Sequence, residues 1–163
     1  MASYQRLLGV KANIEQARWE LAILLAGLAD WDKARRELEL LVEKAPDNVE
    51  YLNALGVALR RTGQFGRALD IFGKVRERFP DNFTALVGQA QGLVEAGRKK
   101  EALPLVQEIV ARTPDDRGVS LTLATLAYEQ GQLELARQLL VSLLATKNVE
   151  LDTLLLAARL HEA

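Results

Sequence analysis

VEYLNALGVALRRTGQFGRALDIFGKVRERFPDN, residues 49–82, decides the fold. Leu52, Leu55, Gly56 and Leu59 recur at spacings of three and four, which puts them on one face of a helix. Gly63 follows as a left-handed helix stop, since glycine alone enters that backbone region without steric cost. A second amphipathic run carries Ala68, Phe72 and Val75 on one face. Pro80-Asp81-Asn82 closes it, because proline cannot continue a helix while Asp or Asn can cap the next one. The unit reads helix, turn, helix, turn. Outward from it, Ala34, Ala68, Ala102 and Ala136 stand 34 residues apart. Gly63, Gly97 and Gly131 keep that step, as do Pro46, Pro80 and Pro114. Three registers with one period mark a chain of stacked supersecondary units, an α-solenoid.

Leu52, Leu55-Gly56, Leu59, Ala68, Phe72, Val75 and Pro80 together resemble the signature of the tetratricopeptide repeat family. The first unit matches through Leu21-Ala22, Leu25, Trp31, Ala34, Leu38, Leu41 and Pro46. The third matches through Leu86, Ala90, Leu93, Gly97, Ala102, Val106, Ile109 and Pro114, with Gln89 where the family has leucine. The fourth offers Leu123-Ala124, Ala127, Gly131, Leu133, Ala136, Leu140 and Leu143, with Asn148 in place of the proline. The resemblance implies an all-α, right-handed solenoid of antiparallel helix pairs. It divides a single domain, 1–163, into a partial leading helix (3–14), four repeats (15–48, 49–82, 83–116, 117–149) and a trailing helix (150–163). Small residues on the first helices (Ala22, Gly56, Ala90, Ala124) and the alanine ladder on the second let paired backbones approach closely. Trp31, Phe65 and Phe72 are expected to fill the core beside them. The apolar run Leu154 to Leu160 is ill suited to shield an open end. The chain therefore reads as a piece of a longer array, with Met1-Ala2-Ser3 as an appended start, and its end helices as faces that can self-associate.

Composition narrows function by exclusion. Hydrophobic residues make up 49%, ample for a core, and 21 basic against 22 acidic side chains leave a formal charge of -1. A nucleic-acid binder would usually carry a basic surplus; Arg60, Arg61 and Arg67 form only a loose group, read as a solvated helix face. There is no cysteine, hence no disulfide, thiolate or cysteine-held zinc. No stretch reaches the roughly 18 to 20 apolar residues of a spanning helix. Met1 to Arg6 lacks the basic start and apolar run of a signal peptide, and nothing in the composition selects a compartment.

Catalysis needs a nucleophile, a base and a charge stabiliser that converge. The single histidine, His161, stands near the end of the chain. Carboxylates such as Glu37, Glu39, Glu77 and Asp81 fall on second helices or turns, where solvation explains them. Gly88 and Gly92 follow no strand and lack phosphate-loop spacing; they are expected either to loosen the third unit's first helix or to let it pack closely. Asn82-Phe83-Thr84 satisfies a glycosylation sequon but coincides with the repeat's own turn and cap. Pro104 falls inside a second helix expected to start near Lys99 or Lys100, close enough to its first turn to be tolerated with a slight kink. Neither an enzyme, a cofactor nor a metal is expected.

In the tetratricopeptide family the first helices line a concave groove. Carried over position by position, that groove should present Trp19 and Ile23, then Asn53, Val57 and Arg60, then Val87, Gln91 and Val94, and finally Leu121, Thr125 and Tyr128. Apolar anchors with a few amides, one arginine and one tyrosine suit a peptide or helical segment of a partner protein. The family's clamp for chaperone C-terminal carboxylates needs lysine, asparagine and basic residues; here Trp19, Ile23, Thr84 and Gly88 stand instead, so the clamp is missing. The leading expectation is a protein-binding scaffold or adaptor, with no nucleic-acid partner and no membrane insertion. Two alternatives are a self-assembling array and an accessory arm of a larger enzyme. The third unit and the closing Leu-Leu-Leu-Ala-Ala-Arg-Leu look similar to tetratricopeptide proteins of bacterial pilus assembly and polysaccharide export.

Overall fold

The computed structural model describes residues 2–113, 116–145 and 151–162, with side chains from residue 14 onward apart from 151 and 162. Pro114, Asp115 and Asn148 lie outside the described residues. All secondary structure among those described is helical: α1 (Ala2–Gly27), α2 (Trp31–Lys44), α3 (Val49–Arg61), α4 (Phe65–Arg78), α5 (Phe83–Glu95), α6 (Lys99–Arg112), α7 (Arg117–Glu129), α8 (Leu133–Leu144) and α9 (Leu151–Glu162). The chain forms two compact units, 1–88 and 89–163, whose boundary falls within α5.

The turns explain the regular spacing. Gly63, Gly97 and Gly131 all have φ near +74° (74°, 74° and 73°). At each, the next residue donates its amide back across the helix end: Gln64 to the Leu59 carbonyl at 2.8 Å, Arg98 to Leu93 at 2.8 Å, Gln132 to Ala127 at 2.8 Å. This is the six-residue closure that a left-handed residue permits. In the first repeat the same place is held by Ala29, at φ 59°, and Asp30 donates to the Leu25 carbonyl at 2.9 Å. The geometry is kept although the glycine is gone. At the other joint, Asn48 accepts from the amides of Glu50 (3.0 Å) and Tyr51 (3.2 Å), Asn82 from Ala85 (2.8 Å) and Asp116 from Val119 (3.0 Å). The Pro-Asp-Asn punctuation thus starts the next helix with a side-chain cap.

In the 1–88 unit, α1 packs on α2, α2 on α3 and α3 on α4. Ala22, Ala34, Gly56 and Ala68 are all buried, as the ladder requires. Phe72 is fully buried; its ring lies against Gly56 of α3 and Gly88 of α5. Trp31 and Phe65, expected as full core, are only half-buried, and Trp31 instead lies under the Arg61 guanidinium, 5.1 Å from its centroid. A cation over an indole face keeps one side of the ring at the surface. α1 runs unbroken through residues 14 and 15, because Lys11 to Glu15 contains neither a proline nor a glycine stop. A separate leading helix over 3–14 would have needed one.

In the 89–163 unit, α6 packs on α7, α7 on α8 and on α9, and α8 on α9. Ala90, Ala102, Ala124 and Ala136 continue the buried small-residue set, with Leu103, Val106, Ile109, Leu123, Leu140 and Leu143 around them. Pro104 is the sixth residue of α6, one turn deeper than a first-turn position. It denies the Lys100 carbonyl its helical partner, which the exposed setting of both residues offsets with water. In α9, Leu156 and Leu160 are buried while Leu154 and Leu155 remain about half exposed (49% each).

Candidate functional site

The groove positions fall in both units, and each unit presents its own face. In the 1–88 unit, α1 places Trp19 half-buried with its ring centroid 5.2 Å from that of Tyr51, tilted by 40°. Trp19 and Val57 both pack against the core, so part of each side chain is structural. Ile23 projects outward and is 48% exposed. Asn53 donates through Nδ2 to Oδ1 of the Asn82 cap at 3.3 Å, while its own Oδ1 is shielded and accepts nothing. Arg60 is half-buried with a polar partner, and Val87 on α5 is half-buried. The neighbouring Arg67, exposed as a solvated face requires, also bonds Glu39 of α2 at 2.9 Å.

In the 89–163 unit, Gln91 is exposed and Val94, Leu121, Thr125 and Tyr128 are half-buried. Here the positions meet. Val94, Leu121 and Thr125 line one open cavity of about 450 Å³ among the end of α5, the start of α6, α7 and α9. Gln91 and Tyr128 are not in its wall. Lys99, Thr122, Leu126 and Glu129 complete the side formed by α6 and α7, and Asp152, Leu155, Leu156 and Arg159 form the side contributed by α9. Lys99 and Glu129 close on each other at 2.8 Å. The α9 residues were missed by a register stopped at the fourth repeat. The signal was present, for Leu155 and Arg159 stand 34 residues beyond Leu121 and Thr125.

The groups with a shifted pKa are surface pairs elsewhere: Asp30 lowered chiefly by its hydrogen bond from Lys33, and Glu101 lowered with Arg98 raised by their mutual hydrogen bond. Among the described residues no three metal-ligating side chains gather, and no helix is long and apolar enough to cross a membrane.

Tandem antiparallel helix pairs with buried small-residue crossings and half-exposed first-helix positions define an α-helical repeat solenoid, a class that is typically a non-catalytic scaffold for protein interactions. Tetratricopeptide repeat models match residues 20–83, 54–117 and 93–160. The chain belongs to the tetratricopeptide repeat family. Among solved structures it is similar to MamA from Desulfovibrio magneticus RS-1, at 21% identity over 90% of this chain and 79% of that one, with a TM-score of 0.72. A MamA mutant aligns at 18% identity over 93% and 88%, TM-score 0.81. A tetratricopeptide repeat protein from Parabacteroides merdae aligns at 20% identity and TM-score 0.79, over 91% of this chain but 59% of its own length. At such identities the likeness shows the fold alone. None of the curated proteins matches the chain.

Proposed function

We propose that this chain is a non-catalytic scaffold whose first-helix faces bind a segment of a partner protein, with the 34-residue repeats (15–48, 49–82, 83–116, 117–149) as its units. One observation carries the reading. Positions matching the family's groove stay exposed or half-buried, while the ladder residues beside them on the same helices are buried, and three of those positions share the 450 Å³ cavity. Side chains not consumed by packing are available to a ligand. Preformed helices present them at little ordering cost, which favours binding by rigid display. Apolar anchors with a few oriented polar groups suit a peptide or helical segment.

Photo-crosslinking in the cells of origin tests this. The probe replaces Val94, and the control replaces Gln107, an exposed residue of the second helix α6. A discrete adduct with another protein from Val94 alone is the expected result. Adducts only between copies of the chain would move the function to self-assembly, and reaction from Gln107 alone would move it to the second-helix face.

A further inference from the structure

The cavity in the 89–163 unit has an apolar floor and a polarised rim. Leu121 and Leu126 of α7 face Leu155 and Leu156 of α9 across it. Asp152 and Arg159 line the same wall, seven residues and about 10 Å apart along α9. Lys99 is already neutralised by Glu129, but neither Asp152 nor Arg159 forms an ion pair with a described residue. The α9 dipole favours an acid in its first turn and a base in its last on any face of the helix; it does not explain why both point into one cavity. Between them the wall offers acceptors. The Thr122 hydroxyl donates to the Gly118 carbonyl at 2.8 Å and the Thr125 hydroxyl to Leu121 at 2.9 Å, so each hydroxyl hydrogen is engaged and each oxygen can still accept.

We infer that this cavity selects a partner segment in which an apolar side chain is flanked by an Asp or Glu side chain that pairs with Arg159 and a Lys or Arg side chain that pairs with Asp152. The inference rests on the groove-binding reading and adds the chemistry of the ligand. A guanidinium with no internal partner takes a carboxylate through two parallel hydrogen bonds. A side-chain carboxylate fits better than a chain terminus, because among the described lining residues Arg159 is the one cation not held by a carboxylate, and capture of a terminus needs several converging donors. Charges of opposite sign about 10 Å apart correspond to two turns of a partner helix or three residues of an extended strand.

The test is selection of a displayed random dodecapeptide library on the full chain, on Arg159→Glu and on Arg159→Gln. Position 159 is exposed, so both variants should keep the fold. The full chain should enrich peptides with an acid and a base flanking an apolar residue. Arg159→Glu should replace the acid with a base, and Arg159→Gln should lose the preference. A synthesised winner should bind Arg159→Glu at least about tenfold more weakly, in line with losing a charged hydrogen-bonded pair. Peptides without charge preference, the same preference on Arg159→Glu, or no enrichment at all would overturn the proposal. Enriched peptides that Val94→Glu blocks but Arg159→Glu does not would overturn this ligand chemistry and leave groove binding standing. Peptides that neither substitution affects would count against both.

Discussion

Phe72 shows how much one contact can decide. A Cβ added at Gly56 would come 2.6 Å from Cε1 and Cζ of the ring, and one at Gly88 would fall inside the ring's surface as well. The ring is fully buried and has nowhere to retreat. Gly88→Ala is therefore expected to destabilise by about 1–3 kcal/mol, the usual range for overpacking, and denaturant unfolding would measure it. Placing Phe72→Leu in the same chain should recover part of that loss, because the smaller side chain vacates the space the methyl needs. If the double variant is no more stable than the sum of the singles, the clash is not the cause. Ala29 poses the opposite case. It holds a left-handed conformation that its three counterparts fill with glycine, so Ala29→Gly should stabilise by about 0.5–1 kcal/mol, or leave stability unchanged if the gain in unfolded-chain entropy offsets the relief of strain. A thermal midpoint that falls would refute the reading of strain at this turn. The sequence makes the glycine period plain, but not the partner of Gly88. That partner lies on another helix, sixteen residues upstream, and spacing within one helix carries no information about it.

At the scale of the element, caps divide the helices into two kinds. First helices α3 and α7 begin with Asn48 and Asp116, whose side chains bond amides of the first turn. Of the second helices, α2 is capped by Asp30, whereas α4, α6 and α8 start at Gln64, Arg98 and Gln132 without a side-chain cap bond. The backbones nevertheless match: φ -82°, ψ 67° at Asp30 and φ -82°, ψ 64° at Gln132. Gln132→Asp should place a carboxylate where α8 already has the geometry to use it, raising stability by about 1 kcal/mol. The thermal midpoint would report the gain. Its pH dependence should be weaker than that of Asp30, whose carboxyl is held below its ordinary value chiefly by the hydrogen bond from Lys33, because Leu135 stands where Lys33 does. A lowered folded value means the contribution is in place above the ordinary carboxylate range and is lost as pH falls through the folded value. An equal midpoint at neutral pH would show that α8 gains nothing from a cap. Helix order, turns and caps were legible in the sequence because all are local and repeat at one period. The unbroken α1 and the α9 wall of the cavity were not. Each depends on where a helix starts, or on a register carried past the last complete repeat.

Across the whole molecule, helix regularity is uneven. Phe72, Leu38, Leu41, Leu59, Leu86 and Val75, the largest fully buried apolar side chains among the described residues, all belong to the 1–88 unit. In the 89–163 unit Leu103, Val106, Ile109, Leu123, Leu140 and Leu143 are buried almost as fully, at 2–5% exposure, but its second helix α6 is interrupted by Pro104. In a repeat protein stability is close to a sum over units and their nearest neighbours, so such differences stay local instead of being averaged over the chain. A proline in a helix interior costs up to about 3 kcal/mol, and a difference of about 1.4 kcal/mol is tenfold in an opening equilibrium. Hydrogen exchange followed by mass spectrometry should therefore find amides in the interiors of α3 and α4 at least about tenfold slower than those of α6 and α7. The same ranking makes ligand binding readable, since the unit that holds the cavity is then the one whose protection a ligand can raise most. A bound peptide should slow exchange in α7 and α9 and leave α3 and α4 nearly unchanged. Equal protection in both units, or slower exchange in α6 and α7 without any ligand, would mean that Pro104 does not weaken its unit.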